Sequence, residues 1–117
     1  MKVNELKGAA LDWAVAKCES VPLVLAPFTG ARNFVILGQD MKPTIVMYEP
    51  SIYWAQGGPI IEREKITVCY DTCQPRWVGC DWAARLTEFG PTPLIAAMRC
   101  YVASKLGDDV EIPEELK

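Results

Sequence analysis

The sequence predicts an α+β fold, a small antiparallel sheet with two main helices near the N- and C-termini packed on it. Three observations lead there. Apolar residues recur at helical spacing near both ends; the stretch between breaks into short aliphatic and β-branched runs; and prolines and glycines punctuate those runs.

The first helix is expected over residues 5–19. Leu11, Ala14, Val15 and Cys18 fall at i, i+3, i+4 and i+7, and Leu6, Ala10 and Trp13 widen that face. Ser20 and Pro22 end it, because proline disfavours helical geometry in the residue before it. Strands follow at 21–25, 34–37 and 44–48, separated by turns at Pro27, Gly30, Gly38 and Pro43. Residues 49–59 read as a structured loop, after which Pro59 opens a short helical turn through Ile60, Ile61, Glu62, Arg63 and Glu64. Two further strands are expected at 66–70 and 76–82, joined by a turn at 71–75. The last helix has the clearest limits: Thr92 as N-cap, Pro93 at the first position, and Gly107 as C-cap. Leu94, Ile95, Met98, Tyr101, Val102 and Leu106 supply its apolar face. Residues 1–107 then form one domain and 108–117 an acidic tail, which Ile112 and Leu116 can tether to the body.

Composition narrows the function. Half of the 117 residues are apolar and 23% are charged, enough to bury a core without staples. The net charge of −3 is concentrated in the tail, so the body is nearly neutral and lacks the electrostatic footprint that duplex nucleic acid requires. No apolar run approaches a membrane span, and the N-terminal stretch carries Glu5, Asp12 and Lys17 where a secretory signal needs an unbroken apolar core. A cytoplasmic location is the expectation. Association of identical copies is left open.

The five cysteines are odd in number, and Cys69, Cys73 and Cys80 have no histidine to complete a zinc site, since the chain contains none. Free thiols, no metal and no cofactor are expected. Absence of histidine also removes Ser-His and Cys-His nucleophiles. A carboxylate pair could still work, with Glu62, Glu64, Asp71, Asp81 and Glu88 as candidates, and each reads more simply as a solvated charge on a turn. Catalysis is not the favoured reading.

Binding candidates are better marked. Gln56-Gly57-Gly58-Pro59 suits either an anion cradle at a helical start or a tight turn with a glycine at positive φ. Trp54 and Trp77, with Arg63 and Arg76 near them in sequence, suit stacking on a flat heterocycle. Thr92 and Arg99, at and on the last helix, read as structural capping first and as an anion site second.

Three segments carry a family resemblance: Gly8-Ala-Ala-Leu-Asp-Trp-Ala-Val-Ala, Trp54-Ala-Gln-Gly-Gly-Pro-Ile-Ile-Glu-Arg-Glu, and the stretch from Phe89-Gly-Pro-Thr-Pro to Ser-Lys-Leu-Gly107. They resemble the NinX family of small proteins from lambdoid phages and prophages. The family often has Ser-Thr-Asp before the tryptophan where this chain has Ser51-Ile52-Tyr53, and residues 22–47 carry no match. The resemblance implies a phage accessory protein acting in the infected bacterial cytoplasm and brings no activity with it.

Two functions are therefore expected in turn. The first is sequestration, without catalysis, of a small nucleotide-like ligand such as a host defence signal. Trp54 and Trp77 would stack the base, Gly57, Gly58, Arg63 and Arg99 would face phosphates, and Gln56 and Thr92 would complete the set. The second is an interaction module that inhibits a host or phage enzyme through Ile52-Tyr53-Trp54 and the acidic tail.

Overall fold

A computed structural model of the chain describes residues 1–21, 23–25, 33–37 and 44–116. Its centre is α3 (Pro93–Leu106), which starts and stops where its capping residues place it. The Thr92 hydroxyl accepts the Ile95 N–H at 3.1 Å, Pro93 occupies the first turn, and the Gly107 N–H closes on the Ala103 carbonyl at 3.0 Å. Leu94, Ala96, Ala97, Met98, Cys100, Tyr101, Val102 and Ala103 are all buried, so this helix is enclosed on most of its circumference.

Among the described residues, six strands form two three-stranded antiparallel sheets. The first is β1 (Leu23–Leu25), β2 (Asn33–Leu37) and β3 (Thr44–Met47), in that spatial order. The second is β4 (Thr67–Asp71), β5 (Arg76–Asp81) and β6 (Leu86–Gly90), again in sequence order. The turns expected at Pro27, Gly30, Gly38 and Pro43, and Pro22 itself, lie outside the described residues.

In the second sheet the register sets Val68, Gly79 and Glu88 in one row and Tyr70, Trp77 and Gly90 in another, both on the same face. That face meets α3. A Cβ on Gly79 would come 2.7 Å from the Ala96 carbonyl oxygen, and one on Gly90 would come 2.8 Å from the Ala96 N. Two glycines opposite Ala96 thus let sheet and helix backbones approach closely. Strand β6 was absent from the sequence expectation for the same reason. Its inward positions are Leu86, Glu88 and Gly90, so apolar alternation is hidden where the close approach demands glycine.

Helix α1 (Gly8–Glu19) is shorter than expected, with a separate 3₁₀ turn at Val3–Glu5 before it and a left-handed Ser20 after it. Helix α2 (Trp54–Glu64) is the main correction. The loop expected at 49–59 gives way to helix five residues before Pro59, and neither Gly57 nor Gly58 has positive φ. Proline and paired glycines oppose a helix by local propensity, so packing decides: Gly57 and Ile60 are buried, and Gly57 seats against Pro50 and Leu94.

The core joins α1, α3, Ile60, Ile66 and both chain ends. Val110, Ile112 and Leu116 are buried in it. The two termini are stitched together as well: the Met1 ammonium donates to Asp109 Oδ1 at 2.8 Å and to the Val110 carbonyl at 2.9 Å, and Val3 N–H donates to the Asp108 carbonyl at 2.9 Å.

Candidate functional site

The segment between β3 and α2 is held by side chains reaching in from two helices. Ile52 and Tyr53 donate their N–H groups to the Glu49 carbonyl, closing a turn. Gln56, from the first turns of α2, accepts the Glu49 N–H at 2.6 Å and donates to the Met47 carbonyl at 2.8 Å. Asp12, from the middle of α1, accepts the Ser51 N–H at 2.8 Å. Pro50 packs against Gly57, and Glu49, Pro50 and Ser51 are buried. Immediately after them the chain turns outward. Ile52, Tyr53 and Trp54 are 57%, 44% and 56% exposed, three large apolar side chains in succession on a fixed backbone.

Asp12 is 1% exposed. Burial pushes its carboxyl up, the backbone and side-chain hydrogen bonds from Ser51 pull it back, and the Glu49 charge adds to the rise, leaving it at about 7. Neither Asp12 nor Glu49 was among the carboxylates picked out from sequence, whose environments are ordinary by comparison. Glu64 is held low by Lys105 and then Arg63, Asp71 is held low by Arg76, and Asp81 accepts the Ala84 N–H at 3.1 Å. Glu88 is raised, by burial first and then by Asp108.

Arg63 does not point along the Gly57–Gly58 stretch. Its Nη2 lies 2.6 Å from Glu19 Oε1 and 3.3 Å from the Tyr101 hydroxyl, and its Nε lies 3.0 Å from Glu64 Oε2. Lys105 reaches the other Glu64 oxygen at 2.9 Å. These groups link α1, α2 and α3 across the surface, and the two carboxylates hold the guanidinium protonated beyond its usual range.

Trp77 sits in β5, half-buried, with its ring edge-on to Tyr70 at 5.2 Å and 70°. Arg99 spends two donors inside the protein, Nε to the Leu6 carbonyl at 2.8 Å and Nη1 to the Phe89 carbonyl at 2.7 Å. Desolvation lowers its pKa, and Glu88 opposes that. Arg76 bonds Asp71 at 3.0 Å and stacks 3.6 Å over the Phe89 ring. An open depression of about 460 Å³ lies along β6, with Asn4, Arg76, Glu88, Phe89 and Arg99 in its walls.

The sequence-marked residues thus fall into separate settings. Trp54, Gln56, Gly57 and Gly58 belong to the first half of α2, where Gln56 and Gly57 serve the turn. Arg63 is committed to Glu19 and Glu64, Thr92 to its cap, and Trp77 and Arg99 to the second sheet and its border. Ile52 and Tyr53 gain importance from exposure. Asp12 had no sequence signal, since its partner lies 39 residues away.

Cys18 and Cys100 are pushed up by burial to about 11 and about 12, which makes them unreactive packing residues. Among the described residues no three His, Cys, Asp or Glu side chains gather where they could hold a metal ion, and no helix is long and apolar enough to cross a membrane. No curated protein matches the chain. The Gly8–Ala16 stretch, the Gly-Gly-Pro helix and all of α3 but its last residue and C-cap lie inside residues 2–105, which match the family model described as Bacteriophage P22, NinX, and the chain belongs to that family.

Proposed function

We propose that this chain is a phage binding module that docks on a protein partner in the infected bacterium through Ile52, Tyr53 and Trp54. The observation that carries this reading is their consecutive exposure on a turn braced by Asp12 and Gln56. Tyrosine and tryptophan dominate interface hot spots, and a braced backbone loses little entropy when its side chains are buried. Inhibition of a host or phage enzyme is the consequence such docking would have. Affinity capture from infected cells, run in parallel with wild type and Trp54→Ala, tests it. A stoichiometric protein lost by at least about tenfold with the variant supports the reading, since a hot-spot aromatic is worth roughly 2 kcal/mol or more. An identical set of captured proteins from both chains would refute it.

A second reading is sequestration of a small nucleotide-like ligand, such as a defence signal, in the depression along β6. Its volume suits a small molecule, and Arg76 and Arg99 border it. Calorimetry against mononucleotides and cyclic nucleotides decides between the two. Binding tighter than about millimolar, weakened by Arg99→Gln, favours this reading, and no measurable heat removes it.

A further inference from the structure

We infer that Asp12 is a latch: through Ser51 it holds the turn after β3 against α1 and so sets how Ile52, Tyr53 and Trp54 are presented. The bonds that Ile52, Tyr53 and Gln56 make here are local or come from the helix the segment leads into. Ile52 and Tyr53 bond Glu49, and Gln56 bonds Glu49 and Met47. Ser51 ties the turn to α1, 39 residues back in the chain, through its N–H to Asp12 Oδ1 at 2.8 Å and through its side chain to the same carboxylate. Asp12 and Ser51 are both nearly inaccessible, so opening the turn must bring a buried acid into water.

That acid makes the latch sensitive to protons. The titratable groups that act on Asp12, or on which it acts, are Glu49 and Tyr48, both from the segment packed over α1; Glu49 adds to the rise that burial gives Asp12, and Tyr48 is raised by burial, then by Glu19 and Asp12, and lowered by Arg63. In the closed turn Asp12 titrates at about 7, and in an opened, solvated turn it returns toward the ordinary 3.8. Below neutrality the closed form therefore holds a proton that the open form releases, and closure is favoured. As pH rises toward 7 this advantage fades, and above 7 it is gone. The opening constant should increase about tenfold between pH 6 and pH 8.

The biological use of such a latch rests on the docking reading, but the latch itself is measured on the free chain, so the two can fail separately. Amide hydrogen exchange gives the protection factors of Ser51, Ile52 and Tyr53, each normalised to its intrinsic rate at that pH. The expected result is lower protection there than in α3, dropping about tenfold from pH 6 to pH 8, with a flat profile in Asp12→Asn, whose side-chain oxygen still accepts from Ser51. Protection equal to that of α3 at every pH would mean the turn opens only when the molecule unfolds, and would overturn the latch. So would a flat wild-type profile, or an unchanged slope in Asp12→Asn. The wild-type chain decides the first two of these outcomes by itself.

Discussion

Two charged residues on the same face of the problem behave oppositely. Arg63 is half-exposed in an open ion-pair cluster with Glu19 and Glu64, a setting in which pairs are worth about 0 to 1 kcal/mol. Arg63→Ala should lower stability by no more than about 1 kcal/mol and leave partner capture unchanged, as urea unfolding and affinity capture would show. A large loss of capture would return Arg63 to the binding surface. Asp12 is buried, and its charge is felt in full. Its folded-state pKa of about 7 stands above the ordinary 3.8, so stability should fall as pH rises from about 4 to 7 and level off beyond. The full span is at most about 4 kcal/mol by linkage. Urea unfolding of wild type and Asp12→Asn between pH 5 and pH 8 should show the slope only in wild type. Neither setting is readable in the residue type: arginine beside glycines suggests a ligand, aspartate on an apolar helix suggests nothing, and each makes a contact distant in sequence, Arg63 with Glu19 and Asp12 with Ser51.

At the scale of elements, legibility followed where the stabilising interactions lie. Helix α3 carries its limits in adjacent residues, Thr92, Pro93 and Gly107, and was readable to the residue. Helix α2 was not, because Gly57, Gly58 and Pro59 are local breakers and the packing that overrides them comes from Pro50 and Leu94. The two glycines make this testable. Around Gly58 the nearest atom to an added Cβ is Trp54 Cε3 at 3.9 Å, an ordinary contact, so Gly58→Ala should stabilise by up to about 1 kcal/mol as alanine does in a helix. At Gly57 the same atom would run into the Pro50 carbonyl and come 2.7 Å from Leu94 Cδ2, so Gly57→Ala should cost about 1 to 3 kcal/mol. Thermal unfolding of the pair separates helix from loop. A loop with either glycine at positive φ would make alanine destabilising at that position, so a destabilised Gly58→Ala would count against the helix. Strand β6 teaches the complementary lesson, since a strand pressed against a helix through glycine loses the apolar alternation by which strands are recognised.

For the molecule as a whole, charge pattern and packing pattern disagree about the last ten residues. Their acidity marks 108–117 as an appendage, and that is how composition reads them. Packing assigns them differently. Val110, Ile112 and Leu116 are 4%, 6% and 7% exposed and share the core with Val3, Leu6 and α3. The N-terminal segment also depends on them for backbone partners, through Val3 to Asp108 and Val110 to Met1, both at 2.9 Å. Each buried aliphatic side chain is worth about 1.5 to 3 kcal/mol relative to exposure, and a domain of this size has only about 5 to 15 kcal/mol in total. A chain ending at Gly107 gives up three such side chains, uncovers Val3 and Leu6, and strands the amide of Val3. It should therefore be largely unfolded or melt far below the full chain, by more than about 10 °C at the conversion usual for domains near 100 residues. Replacing Asp108, Asp109 and Glu111 with their amides should leave the melting temperature nearly unchanged, because those side chains are exposed, the Asp109 pair with the Met1 ammonium is a surface one, and the backbone bonds survive. Circular dichroism melts of the two variants separate the readings. A 1–107 chain that melts with the full-length protein would show that the tail is an appendage after all, and that the core closes without it.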